Sequence, residues 1–257
     1  GGATRLSATC YAAEAEAELR GNDALRERWQ GVLCQDIRYH RHFSRIGQPF
    51  SLSHRTARVQ PALPGRPLPV MIAGHVNYTG CGHYRVIEPY QLLEQQLQLE
   101  GGLIHGLPAA MEVAAFQPDI LLLQMPFDPQ IEETVRQFRQ LSGAKIIMEY
   151  DDYFLCLPRQ NHNRQKLPKD IASRLRRTME LADHLVVSTT ALADAYSELH
   201  SDIRVAQNRL NPLQWGALSS ARNQGRKPRV GWAGGNSHDG DLAILRPLIE
   251  ALGNQVE

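Results

Sequence analysis

From about residue 69 onward the chain alternates short apolar runs with stretches whose apolar residues recur every three or four positions. This rhythm limits the fold more than any other feature. A run of a few apolar residues suits a strand covered on both faces, whereas a three-to-four spacing places side chains on one face of a helix. Alternating the two yields βαβ units and a parallel sheet. The runs lie at 70–73, 119–124, 145–149, 185–187 and 203–206. The intervening helical faces carry Val86, Tyr90, Leu93 and Leu97, then Ile131, Val135, Phe138 and Leu141, then Ile171, Leu175, Met179 and Ala182. Gly101 and Gly102 are expected to stop the first helix, and Asp128 and Pro129 to cap and open the second. Ser188 or Thr189 caps a further helix that runs to about Leu199. The fold class expected is therefore α/β, a Rossmann-like parallel sheet.

Two flanking regions break this rhythm. Residues 12–34 are rich in Ala, Glu, Leu and Arg, which lose little rotamer freedom in a helix, so a helical arm is expected there. Pro49, Pro61, Pro64, Gly65, Pro67 and Pro69 then mark a linker over about 48–68. Toward the other end, residues 229–232 read as a strand, 233–238 as a loop, and Leu245, Leu248, Ile249 and Leu252 as a helical face interrupted by Pro247. Pro247 is expected to kink that helix or delay its start. The organisation expected is an arm and linker at 1–68, a Rossmann-like domain at 69–212, and the first β-α unit of a second Rossmann-like domain at 213–257. A lone strand and helix cannot bury their own apolar faces, so a larger parent or a packing partner is expected.

Composition excludes several classes. A chain of 257 residues with 42 % hydrophobic and 21 % charged content can bury a core and is not of the disordered type. A net charge of +1 gives no electrostatic footprint for nucleic acid, so any anion must be held locally. Cys10, Cys34, Cys81 and Cys156 are widely separated, which suggests neither zinc site nor disulfide framework and fits a cytoplasmic setting. No apolar run approaches the length needed to span a bilayer.

Open parallel sheets bind ligands at the carboxyl ends of their strands. The first such place is the loop at 74–85, where Gly80 and Gly82 permit close backbone approach and Arg85 offers a fork of donors. A flexible connector with Arg85 paired to a carboxylate is the plainer alternative. The second is the loop at 231–238, where Gly234 and Gly235 before a helix can form a nest of amides for a phosphate, with Asn236, Ser237 and His238 beside them. The alternative is a tight turn. The loop is neither a Walker A sequence nor G-x-G-x-x-G. Asp151 and Asp152 end a strand and could bind a metal, act as a base or hold a sugar hydroxyl; equally, they could cap a helix or pair with Arg159, Arg164 or Lys166. His75, His83 and His238 could act as bases or phosphate donors. His83, Asp151 and Asp152 are the catalytic candidates. Trp215 and Trp232 read as packing residues rather than stacking platforms.

Several of these pieces occur together in a familiar order: Gly80-Cys-Gly-His-Tyr-Arg after the first strand, Glu149-Tyr-Asp-Asp, Ala182-Asp-His-Leu-Val-Val-Ser-Thr, Gln207-Asn208 leading to Trp215, and Arg229-Val-Gly-Trp-Ala-Gly-Gly-Asn-Ser-His. Over about 69–252 the chain resembles the acceptor-side half and the opening of the donor-side half of a GT-B glycosyltransferase, of the retaining, family-4-like, "group 1" type. Separately, Trp29 and the stretch from Tyr39 to Leu52 resemble the closing tail of a GT-A glycosyltransferase domain. The first resemblance implies transfer of a hexose from a nucleotide-sugar to a saccharide acceptor, in surface polysaccharide or lipopolysaccharide synthesis. It implies Gly234, Gly235, Asn236, Ser237 and His238 on the donor diphosphate, and Gly80, Gly82, Tyr84 and Arg85 lining the acceptor side. It implies no metal and no cofactor beyond the donor substrate, and contact with other glycosyltransferase domains of the parent. The donor glutamates of that family would lie beyond Glu257, so this stretch alone is expected not to turn over. A non-catalytic saccharide- or partner-binding module is the competing expectation.

Overall fold

In the computed structural model of the chain, residues 67–126, 130–157, 167–219, 227–234 and 239–256 are described without interruption, together with positions 161, 164 and 165 and scattered positions between 17 and 65. The apolar runs become strands, as their burial on both faces requires. The elements are β1 (Val70–His75), a helical segment α1 (80–95), β2 (Glu100–His105), α2 (Ala110–Phe116), β3 (Ile120–Gln124), α3 (Ile131–Leu141) and β4 (Lys145–Tyr150). There follow α4 (Ile171–Met179), β5 (His184–Val187), α5 (Thr190–Tyr196), β6 (Ile203–Val205), α6 (Pro212–Trp215) and α7 (Asp239–Leu252). The six strands form one parallel sheet in the order β2-β1-β3-β4-β5-β6. This is the Rossmann-like α/β architecture anticipated. Contacts divide the chain into Gly1–Ile147 and Met148–Glu257, the boundary falling within β4.

In the first unit, β1 lies between β2 and β3, with Met71 opposite both Gly101 and Ile120. Asp119 sets the start of this register: its Oδ2 accepts from the Val70 amide (2.8 Å), its amide donates to the Val70 carbonyl (2.8 Å), and its own carbonyl accepts from the Lys145 amide (2.8 Å). Ala73 of β1 forms a core cluster with Val86, Tyr90 and Leu99, onto which Met71, Leu93, Leu103 and Leu122 pack. On α3, Ile131, Val135 and Phe138 are buried, as their spacing foretold, and burying each such side chain is worth about 1.5–3 kcal/mol. At the described positions between 17 and 33 the backbone is helical and exposed. Further on, Phe43 and Leu52 form an antiparallel bridge. Around it the rings of Tyr39, Phe43 and Phe50 meet at 5.7–5.9 Å, and the Tyr39 hydroxyl donates to the Ser44 carbonyl (2.8 Å).

Within the second unit, Met148, Glu149 and Tyr150 of β4 and Leu185 and Val187 of β5 are buried, with Leu175 and Met179 of α4. β5 and β6 pair in parallel from Leu185 opposite Ile203. Thr189, one of the two expected caps, accepts from the Leu192 amide (3.1 Å) at the start of α5. Ser188 instead donates to the Asp151 carbonyl (3.3 Å).

Five expectations are corrected. Gly101 and Gly102 do not merely stop a helix, because they lie inside β2, an edge strand that the apolar periodicity did not reveal. α1 begins at Gly80 rather than near Val86: a turn at Gly80–Gly82 passes through a wide π turn, His83–Ile87, into the α-helix Glu88–Gln95. Leu97 consequently falls after the helix, at φ 53° and exposed, and not on its buried face. α5 ends at Tyr196, before Leu199. Residues 229–232 form no strand and are exposed. α7 is described over Asp239–Leu252 with Pro247 inside it. The start of α3 is described from Ile131, and its expected cap, Asp128 with Pro129, lies outside the described residues.

Candidate functional site

In a parallel sheet ordered 2-1-3, the chain leaves β1 toward β2 on one side and returns past it to β3 on the other. The connections therefore diverge between β1 and β3, and the carboxyl ends of these strands are the position at which an open parallel sheet binds its ligands. The residues at that position are His75 to Gly82 on the β1 side, with Gln124 at the end of β3.

This loop is held by its own polar groups. The buried Gln124 side chain accepts from the Val76 amide (3.1 Å) and donates to the Cys81 carbonyl (3.1 Å), so the end of β3 fastens the start of α1. Asn77 Oδ1 accepts from the Gly82 amide (3.0 Å) and thereby supplies the cap that this helical turn otherwise lacks. Its Nδ2 lies 3.7 Å from Cys81 Sγ. The Asn77 carbonyl accepts from His75 Nδ1 (2.8 Å). A carbonyl only accepts, so Nδ1 carries the proton in the neutral ring. Burial holds the His75 pKa below its usual value; the bond to Asn77 opposes this shift and His105 reinforces it. His75 is thus a neutral imidazole near pH 7.

Above this base stand two exposed rings. Tyr78 and His105 stack at 5.3 Å with an angle of 15° between planes, and His75 meets Tyr78 edge-on at 4.7 Å. His105 Nε2 donates to the Val76 carbonyl (3.1 Å), and the Gly106 amide donates to the His75 carbonyl (2.9 Å), so the end of β2 is tied to the β1 exit.

The residues singled out from sequence occupy different positions here. Gly80 sits at the rim with φ 53° and open space around it. Gly82 is buried with its amide committed to Asn77. Tyr84 is exposed, His83 half-buried and Arg85 buried, all within the π turn. Asn77, Tyr78, His105 and Gln124 were not recognised. One sequence signal for them existed: a polar Gln closing an apolar strand, since a polar side chain buried there needs partners. His105 had no signal because β2 itself was unread.

Glu149 is buried at the end of β4, Asp151 is half-buried and Asp152 exposed. The Tyr196 hydroxyl donates to the Asp152 carbonyl (2.8 Å) and accepts from the Phe154 amide (3.1 Å). Burial pushes the Tyr196 phenol up to about 12, an effect that the Phe154 bond opposes and Tyr153, Asp152 and Asp151 reinforce. Arg164, one of the bases considered as a partner for the two aspartates, donates to the Leu157 carbonyl (2.9 Å); Arg159 and Lys166 lie outside the described residues. Of the second loop only its opening, 231–234, is described, and Gly235, Asn236, Ser237 and His238 lie outside the described residues. Gly234 is exposed and lies so close to the Trp232 indole that a Cβ would fall 2.7 Å from its ring. Trp215 and Trp232, expected to pack, are 51 % and 46 % exposed.

Among the described residues there is no cluster of three or more His, Cys, Asp or Glu placed to hold a metal ion, and no helix is long and apolar enough to cross a membrane. No protein-family model and no curated protein matches this chain.

Proposed function

We propose that this chain is the acceptor-side part of a GT-B glycosyltransferase, which transfers a hexose from a nucleotide-sugar to a growing saccharide of a cell-surface polymer. The observation that carries the reading is the divergence of the chain connections between β1 and β3. It lies at the carboxyl ends of parallel strands and is framed by a loop whose shape Asn77 and Gln124 hold. Support for the chemistry comes from the order of motifs along the sequence, from Gly80-Cys-Gly-His-Tyr-Arg to Gly231–His238.

In this reading Gly80 and Tyr84 line the acceptor side. Gly234, Gly235, Asn236, Ser237 and His238 meet the diphosphate, where charge develops as the bond from the anomeric carbon to the leaving oxygen breaks and the bond to the acceptor hydroxyl forms. Amide N–H groups would neutralise that charge without a metal. His75, buried beneath Tyr78, positions the loop and does not contact substrate.

The test uses the full-length protein with UDP-, GDP- and dTDP-hexoses and a mixture of oligosaccharide acceptors, following release of nucleoside diphosphate. Acceptor-dependent release is expected, and Gly235→Pro, which deletes one amide donor, should lower kcat by about a hundredfold. A specific observation favours the second reading, a non-catalytic saccharide- or partner-binding module: residues 229–232 stand outside the sheet and exposed. Saccharide binding without release or donor-induced thermal stabilisation would select that module. Neither release nor binding would refute both readings.

A further inference from the structure

We propose that Tyr78 and His105 form a stacking platform for a neutral pyranose ring, with the buried His75 setting its orientation. The inference rests on the acceptor-side reading for its place in the reaction, and on the geometry of three rings for its chemistry.

The stacked pair is exposed although it is aromatic: Tyr78 is 67 % accessible and His105 also faces solvent. Even while stacked on His105, Tyr78 keeps most of its surface accessible. Freely rotating surface rings would not provide a defined surface, but these are fixed. His105 Nε2 is tied to the Val76 carbonyl, and His75 meets Tyr78 at 4.7 Å with the ring planes 71° apart while its own Nδ1 is tied to Asn77. A ring held in place loses little freedom when a ligand settles on it.

The polar atoms around this surface decide the ligand class. At the edge of its ring the Tyr78 hydroxyl both donates and accepts. A pyranose matches this: its C–H face lies on the ring and its hydroxyls reach the phenol. The residues sit where β1 and β2 end, at the sheet edge from which ligands approach an open parallel sheet.

The experiment titrates the whole protein, without any nucleotide-sugar, with the methyl pyranosides of glucose, galactose and mannose. Binding is followed by saturation transfer from the protein to the sugar and by the ring resonances of Tyr78. At least one pyranoside should bind with Kd in the millimolar range. Tyr78→Ala should weaken it by about tenfold, the scale of one lost stacking contact, while Tyr78→Phe should keep most of the affinity. His105→Ala should weaken it as well. Circular dichroism of each variant should match wild type, because both side chains are exposed. Equal affinity of wild type and Tyr78→Ala, absence of pyranoside binding, or uridine displacing the pyranoside and binding more tightly through Tyr78 would each overturn the proposal. No donor is present in this titration, so absence of sugar transfer leaves its result standing. Conversely, transfer with an unchanged acceptor KM in Tyr78→Ala would sink the platform alone.

Discussion

Replacing Gly82 with alanine tests how the β1 exit loop is built. The backbone at Gly82 is ordinary right-handed helix, φ −60° and ψ −40°, so any residue could adopt it. The restriction comes from space. An added Cβ would land on the Asn77 carbonyl oxygen and stand 2.6 Å from Asn77 Oδ1. Relieving this moves Asn77, which costs about 1–3 kcal/mol as overpacking, and it disrupts the Gly82 amide bond to Oδ1, worth about 1 kcal/mol. Alanine recovers up to about 1 kcal/mol through its better helix propensity. The net loss expected is about 2–3 kcal/mol, roughly a 1 M fall in the urea midpoint. Urea titration followed by far-UV circular dichroism measures it. Gly143→Ala, with nothing within 4 Å of the new Cβ, should stay within about 0.5 kcal/mol of wild type. Gly80→Ala has equal room but φ +53°, and should cost about 1–2 kcal/mol through backbone strain alone. The principal clash involves a main-chain oxygen, so Asn77→Ala should not rescue Gly82→Ala. A Gly82→Ala midpoint equal to that of Gly143→Ala, or full rescue by Asn77→Ala, would refute the reasoning.

Two further outcomes follow from the same geometry. Gly101→Ala combines φ +140° with a Cβ driven onto the Met71 main chain, so about 3 kcal/mol or more should be lost; amide exchange should show β2 losing protection before β3, and uniform protection would contradict this. Tyr196→Phe removes the hydroxyl that bonds Asp152 and Phe154 and should cost about 1–2 kcal/mol near neutral pH. Because the folded-state pKa is raised above the unfolded value, the Tyr196 contribution is whole below pH 10 and is lost as pH rises toward about 12. The stability gap between wild type and Tyr196→Phe should narrow over that interval, and a constant gap would count against the argument.

Elements whose stability depends on their own apolar pattern were legible from sequence. The runs at Ile72, Leu121–Leu123, Ile146–Met148 and Leu185–Val187 became strands because a short uninterrupted apolar segment has to be covered on both faces. The face of Ile131, Val135 and Phe138 became a buried helix face for the corresponding reason of period. β2 escaped detection because two of its six residues are glycines, which signal a break in sequence. They are tolerated there since Met71 approaches so closely that no Cβ fits at Gly101. The strand expected at 229–232 failed in the opposite sense: its apolar residues suit a strand, yet a strand requires a neighbour to pair with, and none is formed among the described residues.

The candidate site divides along the same line. Sequence alone identified the glycine-bearing segment after β1 as the place to look, because glycine before a helix and the strand-end rule are both local properties. Only the tertiary structure brought Gln124 to Val76 and Cys81, from 43 to 48 residues away, and His105 onto Tyr78. These contacts arise from strand order, which no local pattern encodes: with β1 set between β2 and β3, the carboxyl ends of all three strands lie side by side.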